Sequence, residues 1–195
     1  MTSALFSILP AVGRRGQGLP VPIDGGVSLV PVSMTTRPHV CVERVRWADV
    51  DLVGIARFSA FTRYIEQGEQ EWLRAAGLPY SEIFKAPDIW MPRRHLSIEY
   101  FAPARLDEAL ALVTYVPRLG ETSLTFNVDV IGLTDEQPKA SATVVLVCVD
   151  VERFAKRPLP QLIRDAVAPF FMDRDAALAA SLPIRRDLAS RTNLV

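Results

Sequence analysis

The sequence is poor in the residues that build disulfide scaffolds and metal centres. Its 195 residues include two cysteines, Cys41 and Cys148, and two histidines, His39 and His95. The cysteines stand far apart without a CxxC pair, which disfavours both a disulfide framework and a zinc site. The two histidines limit any Ser-His-Asp or Cys-His scheme to their own positions. The sequence therefore predicts neither a metal nor a cofactor.

The sequence also lacks an excess of charge and any long apolar run. Its 22 Lys and Arg residues balance 22 Asp and Glu residues, which gives no electrostatic reason to expect nucleic acid as a partner. No apolar run approaches the ~20 residues of a transmembrane helix. The short apolar segment near the start has no preceding Lys or Arg, so it fits a signal peptide poorly. We expect a cytoplasmic protein without a transmembrane segment.

The composition divides the chain into three parts. Residues 1–38 mix prolines and glycines without a period and predict an irregular N-terminal arm. Met34 is a more natural start for the domain, so residues 1–33 are either an over-long start or a flexible extension. Residues 39–170 carry regular patterns and predict the folded domain. Residues 171–195 are Ala-rich and then polar, which suggests a peripheral C-terminal tail.

The strongest pattern combines an acidic turn with a long helix. Asp49, Asp51 and Gly54 form the turn, and a helical pattern follows over residues 58–76. Apolar or small residues at alternating spacings of three and four define one helix face: Phe58, Phe61, Ile65, Gly68, Trp72 and Ala75. A carboxylate loop thus leads into a helix N-terminus, whose unpaired N–H groups carry partial positive charge. This arrangement suits acyl chemistry.

The rest of the domain reads mainly as strands. Strand patterns cover residues 39–47, 94–101, 108–116, 122–131 and 142–149, and a short helix is predicted at 162–167. One long amphipathic helix with five strands predicts an α+β fold in which an antiparallel sheet curls around the helix. The exposed edges of such a sheet need cover, which favours a dimer.

Three stretches carry a resemblance to a known family. They are the D-x-D-x-x-G loop at 49–54, the sequence IEYFAPARLDE at 98–108, and VCVD at 147–150 followed by RPLP at 157–160. Through them the chain resembles the 4-hydroxybenzoyl-CoA thioesterase family of hotdog-fold proteins, and it looks closest to the acyl-CoA thioesterase branch associated with the Tol–Pal system. The resemblance implies a hotdog fold and a homodimer or homotetramer with active sites at the subunit interface.

The resemblance also implies site residues. It makes Asp51 the catalytic carboxylate and places an oxyanion-binding N–H near Phe58. Gly54, Arg57 and Phe58 are predicted to bind substrate. From the residues alone, a turn-forming or helix-capping role of Asp51 is favoured over a catalytic one. Many members of the branch have His-Ala-Asn-Tyr entering the helix, and this chain has FSAF at 58–61 instead. Some relatives with an aromatic residue in place of that His still carry the Asp.

Other polar residues have more than one interpretation. Asp49 is predicted to be a turn residue, and Glu66 is predicted to have a buried, hydrogen-bonded structural role. Arg57 either pairs with Asp51 or reaches CoA. The basic residues Arg153, Lys156 and Arg157 are predicted to contact CoA phosphates, with a solvated basic loop as the alternative.

The leading functional prediction is an acyl-CoA thioesterase acting on a small, medium or aromatic acyl group. One alternative is release of an acyl group from a carrier protein in a biosynthetic pathway. Another is a hotdog dimer that binds an acyl thioester or a protein without turnover. A hotdog dehydratase is disfavoured because neither histidine lies near the helix.

Overall fold

The structure is a computed structural model that describes residues 36–83 and 90–192. The predicted irregular arm lies outside the described residues, apart from residues 36–38. The end of the chain after Thr192 also lies outside them.

Five strands form one antiparallel sheet in the order β1-β3-β4-β5-β2. Their bounds are β1 His39–Arg44, β2 Arg93–Tyr100, β3 Ala109–Leu119, β4 Ser123–Gly132 and β5 Pro138–Val147. The last three are consecutive neighbours, so β1 and β2 occupy the two edges. The α+β prediction, with about five antiparallel strands and a long helix, is confirmed.

The long helix, α1, runs from Phe58 to Ala75, close to its predicted bounds. It packs mainly against β1, β3 and β4, and Phe61, Ile65 and Trp72 are buried in the core as predicted. Phe58 and Ala75 are exposed, contrary to the prediction. They are the first and last residues of the helix, and the apolar period alone does not show where contact with the sheet ends.

Gly68 allows α1 to approach the sheet closely. A Cβ atom at this position would lie 3.0 Å from Thr114 Oγ1 and 3.2 Å from Val128 Cγ1. Both contacts are tighter than ordinary van der Waals packing, so a larger residue would push the helix away from β3 and β4. The helix position, and with it the orientation of its N-terminus, therefore depends on this glycine.

Three further α-helices lie in the described part of the chain: α2 Tyr80–Ile83, α3 Gln161–Val167 and α4 Arg174–Thr192. Helix α3 appears where the sequence predicted it. Within residues 36–83 and 90–192, no helix has the length and hydropathy needed to cross a membrane.

Helix α4 corrects the expectation of a peripheral tail. It packs against β1 and β3, and its own residues Ala177 and Ser181 are completely buried. Its first residue, Arg174, forms an ion pair with the buried Asp129 of β4 at 2.8 Å. Local sequence pattern does not indicate this packing, because the contacting side chains are small and one key contact is ionic.

Candidate active site at the start of the long helix

Asp51 lies in a tight turn that leads toward α1. Its backbone N–H donates to the Ile55 carbonyl at 3.0 Å, and its own carbonyl accepts from the Gly54 N–H at 3.0 Å. One carboxylate oxygen, Oδ1, accepts from the Val53 N–H at 2.8 Å. Among the described residues nothing bonds to Oδ2, and the side chain is exposed. The carboxylate thus stabilises the turn through Oδ1, while Oδ2 has no hydrogen-bond partner among the described residues.

Gly54 provides the backbone conformation that closes this turn. Its φ of +81° lies in the left-handed region, which a residue with a side chain adopts only with strain. The segment after it pairs with the loop before β3, since the Ala56 N–H donates to the Ala104 carbonyl at 2.8 Å. The turn is therefore anchored to the sheet, which fixes the position of Asp51 relative to the helix.

The N-terminus of α1 is open. Arg57 occupies the N-cap position, and no side chain caps the helix. Thr62 donates its hydroxyl to the Ser59 carbonyl at 2.6 Å. No acceptor among the described residues takes the N–H of Phe58. This N–H is one of the free donors that a helix start offers to an anion or a polarised carbonyl.

Tyr100, at the end of β2, contacts this helix start. Its hydroxyl donates to the Phe58 carbonyl at 3.3 Å, and its ring stands edge-on to Phe61 at a centroid distance of 5.1 Å. The edge strand β2 and the first turn of α1 are thereby joined. Sequence reasoning assigned no role to Tyr100, although it lies inside the IEYFAPARLDE stretch.

Arg57 does not pair with Asp51 in this structure. Its guanidinium donates to the carbonyls of Ala48 and Asp49, and its backbone N–H also donates to the Asp49 carbonyl at 2.8 Å. Arg57 therefore ties the helix start to the turn before it. Its predicted contact with substrate stays a prediction.

Asp49 stabilises the site from a buried position. It is buried and accepts hydrogen bonds from the Arg46 N–H, the Arg63 guanidinium and the Tyr64 hydroxyl. Burial opposes its ionisation, but the hydrogen bonds from Arg63 and Arg46 outweigh that effect and hold the pKa of Asp49 below its ordinary value. Arg63 also pairs with the buried Glu43 at 3.2 Å. This network binds the turn to the middle of α1.

The structure reverses the expectation for the acidic residues of α1. Glu66 is exposed, so its predicted buried role was wrong. Glu69 is buried instead and pairs with Arg93 of β2. Burial raises the pKa of Glu69, while Arg93 and Tyr80 oppose that rise. The spacing of apolar residues along α1 does not show that Glu69 is buried, because Arg93, which neutralises Glu69, is 24 residues away.

The predicted CoA-binding residues lie in a loop after β5. Arg153 and Lys156 are exposed, and Arg157 is half-buried. Between them, Phe154 adopts a φ of +54° and its ring stands edge-on to Trp90 at 6.3 Å. Both aromatic residues line a cavity beside α1. Of this loop, Phe154 lines the cavity, whereas Arg153, Lys156 and Arg157 do not, and their contact with CoA stays a prediction.

Neither cysteine is suited to act as a nucleophile at neutral pH. Burial, reinforced by Glu71 and Glu43, raises the pKa of Cys41 to about 12, so its thiolate is scarce. Cys148 is completely buried, and burial raises its pKa as well. Within the described ranges, no group of three His, Cys, Asp or Glu residues is arranged to hold a metal ion.

Residues 45–170 match the family model of the Thioesterase-like superfamily. The chain belongs to this superfamily. The acyl-CoA thioester hydrolase YbgC of Escherichia coli is 29% identical over 120 residues, which cover 62% of this chain and 88% of that protein. The 1,4-dihydroxy-2-naphthoyl-CoA hydrolase of Synechocystis is 26% identical over 124 residues, which cover 64% of this chain and 90% of that protein.

Solved structures of the superfamily share the fold. The crystal structure of Slr0204, a 1,4-dihydroxy-2-naphthoyl-CoA thioesterase from Synechocystis, aligns with a TM-score of 0.64 and 25% identity, covering 71% of this chain and 98% of that chain. All the predicted site residues lie inside the superfamily match, which ends at residue 170. Helix α4 lies after the end of that match.

The Asp49 network yields a prediction on stability. Asp49→Asn should lower the free energy of unfolding at neutral pH by about 2 kcal/mol, because charge-assisted hydrogen bonds are lost in a buried place. A carboxyl group with a lowered pKa stabilises the fold above its unfolded pKa of about 3.9 and loses that contribution as the pH falls through its folded value. The difference in the free energy of unfolding between wild type and Asp49→Asn should therefore decrease below about pH 4.

Urea unfolding at several pH values measures this difference. Asp187→Asn is the matched control, because Asp187 pairs with Arg191 on the exposed surface of α4, where an ion pair contributes about 1 kcal/mol or less. A constant difference between wild type and Asp49→Asn down to pH 2 would contradict the assigned role of Asp49.

Proposed function

We propose that this protein hydrolyses acyl-CoA thioesters, with Asp51 as the catalytic carboxylate and the Phe58 N–H as the oxyanion donor. One observation carries the proposal. The Asp51 turn is anchored directly before the uncapped start of α1, so a carboxylate and a free helix N–H belong to one short segment. Thioester hydrolysis needs a nucleophile or base together with an oxyanion donor, and this segment offers both.

The chemistry follows from these two groups. Asp51 either attacks the thioester carbonyl itself or removes a proton from an attacking water. The carbonyl oxygen gains negative charge in the tetrahedral intermediate, and the helix N–H stabilises it. Collapse of the intermediate breaks the C–S bond and releases CoA as a thiolate. When water is the nucleophile the acid forms directly; when Asp51 is the nucleophile the acyl–Asp51 anhydride is then hydrolysed by water, which restores the carboxylate. Thiolate is a good leaving group, so the missing histidine at the helix entry is not required as an acid.

The substrate class rests on the superfamily. The protein is a thioester hydrolase of this superfamily, and its named relatives act on acyl-CoA and on 1,4-dihydroxy-2-naphthoyl-CoA. A small, medium or aromatic acyl group is therefore proposed as the substrate. Assignment to the Tol–Pal-associated branch, and the cytoplasmic location, stay predictions from the sequence.

We further propose that the working unit is a homodimer formed through β2. This edge strand has no buried residue along its length. It exposes nearly half of Leu96 and Tyr100, and Phe101 beyond its end is similarly exposed. An unpaired edge with apolar side chains is suited to pairing with a second strand. A symmetric β2–β2 pair extends the sheet and covers these side chains.

A dimer is favoured over a tetramer by helix α4. The outer face of β3 carries Val113 and Tyr115, which are completely buried in the cluster that includes Ala177 of α4. Because α4 lies over this face, a second dimer would have to displace the helix to pack its sheet there.

The oligomer is tested by light scattering. We expect about twice the chain mass of 21.6 kDa for the wild type at micromolar concentration, and a shift toward the single-chain mass for Leu96→Lys, which places like charges near the twofold axis. Leu162→Lys is the matched control, because Leu162 is 58% exposed on α3 and lies outside β2. A fully active wild-type monomer at micromolar concentration would refute the dimer.

The activity is tested with a panel of thioesters and detection of the released thiol. The panel contains short, medium and aromatic acyl-CoAs and one acyl-carrier-protein thioester. Turnover of at least one acyl-CoA, with kcat/KM above that of the carrier-protein thioester, is expected. Turnover of the carrier-protein thioester alone would favour release from a carrier. Saturable acyl-CoA binding without turnover of any panel member would favour a binding protein.

A further inference from the structure

A cavity of about 470 Å³ lies beside the second half of α1. Its volume falls within the range of about 300–1,000 Å³ that is typical of small-molecule sites. Most of its lining is apolar or aromatic, including Leu73, Ile83, Trp90, Met91, Leu124 and Leu146. Such a lining suits the hydrocarbon body of an acyl group.

One wall of this cavity is polar. The buried Glu69 carboxylate pairs with the guanidinium of Arg93, and the Tyr80 hydroxyl bonds to both. All the hydrogen bonds that Arg93 makes to described residues use Nη2. The Nε and Nη1 hydrogens therefore have no acceptor in the described part of the chain. The Arg93 side chain is 44% exposed, so these donors are accessible to a ligand.

The charges on this wall select the kind of ligand oxygen that fits. Glu66 also lines the cavity, so two carboxylates face one guanidinium. A carboxylate on the ligand would add a third negative charge and is disfavoured. A pure hydrocarbon would displace water from the Arg93 donors and leave them unpaired. A neutral oxygen, such as a hydroxyl or keto group, accepts from Arg93 without either cost.

The cavity lies too far along α1 to serve the Asp51 of its own chain directly. Glu66 is eight residues after Phe58, which is about 12 Å along a helix. Antiparallel pairing of two β2 strands places the Arg93 end of one strand beside the Tyr100 end of the other. Tyr100 contacts the start of α1. The cavity of one subunit thus opens next to the catalytic segment of the second copy.

We infer that Arg93, Tyr80 and Glu69 form the polar end of the acyl-binding cavity and select acyl groups with an apolar body and a neutral oxygen remote from the thioester. The inference rests on the proposed acyl-CoA hydrolysis and on the β2 dimer. Arg93 donates to the distal oxygen of the acyl group, while Glu69 and Tyr80 hold the guanidinium in place.

The test compares kcat/KM for benzoyl-CoA and 4-hydroxybenzoyl-CoA, which differ by one hydroxyl group. The wild type should prefer the hydroxylated thioester by about 10–100-fold, the effect of a hydrogen bond to a charged group. Arg93→Met and Tyr80→Phe should both reduce this ratio, and Arg93→Met should bring it near one. Glu71→Gln is the matched control, because Glu71 lies on the same helix, pairs with Arg74 and does not line the cavity. It should keep the wild-type ratio.

Binding is measured separately from turnover by calorimetric titration of both thioesters into Asp51→Asn. Equal affinity for the two thioesters, or a preference that Arg93→Met and Tyr80→Phe leave unchanged, would overturn the inference without touching the proposed hydrolysis. Faster wild-type hydrolysis of succinyl-CoA than of 4-hydroxybenzoyl-CoA would overturn it as well. A binding preference that depends on Arg93, in a wild type that hydrolyses no thioester, would support the cavity assignment and overturn the proposed hydrolysis.

Discussion

Asp51→Asn should lower kcat on the best acyl-CoA substrate by at least ~100-fold, which is the low end for a positioned acid–base group. Asparagine keeps the shape and can still accept the Val53 N–H through its carbonyl oxygen. It lacks the negative charge needed for attack or proton transfer. KM should change much less, because the carboxylate acts mainly in the transition state. Steady-state kinetics with thiol detection gives both constants.

Two comparisons distinguish lost chemistry from lost structure. Asp51 is exposed, so its substitution should leave the free energy of unfolding within about 0.5 kcal/mol of wild type. Asp49→Asn should show the opposite pattern, with lower stability and a smaller loss of kcat, because Asp49 is buried in the Arg63 network. Near-normal turnover by Asp51→Asn would show that the proposed mechanism is wrong.

Trp72→Ala should lower the free energy of unfolding by about 3–5 kcal/mol, as expected for truncation of a large core side chain. Trp72 is completely buried, and its ring contacts Phe126 of β4 at a centroid distance of 5.3 Å and Phe170 at 6.1 Å. Removing the indole leaves a cavity between the helix and the sheet, and the surrounding strands relax only in part. Urea denaturation followed by circular dichroism measures the loss.

Trp47→Ala is the matched control for this measurement. Trp47 is 80% exposed, so the same chemical change should alter the free energy of unfolding by about 0.5 kcal/mol or less. A loss below about 1 kcal/mol for Trp72→Ala would indicate that this tryptophan is not part of the core.

The residues around the Asp51 turn show how far local pattern predicts a site. The D-x-D-x-x-G loop, the helix after it and the glycine at 54 are local features, and the structure places all three as predicted. A serine or threonine near a helix start does not by itself show which residue leaves the helical conformation. The uncapped start is a property of the folded loop.

The acidic residues of α1 show what a local sequence pattern does not predict. Glu66 was predicted to be buried and hydrogen-bonded, but Glu66 is exposed and Glu69 is buried instead. A carboxylate can be buried when a charged partner neutralises it. The partner of Glu69 is Arg93, which lies on β2 and not on the helix. No helical period contains that information.

The sequence by itself determined the helix, the five strands, the fold class and the position of the Asp51 turn. These features depend on period, turn residues and burial preference, which act over a few neighbouring residues. The tertiary structure alone decided the ion pairs Asp49–Arg63 and Asp129–Arg174, which are 14 and 45 residues apart. It also decided that α4 packs on the sheet and that Arg93 faces a cavity. Those contacts depend on which elements meet in space, because a charge is stabilised by whichever partner the fold brings near it.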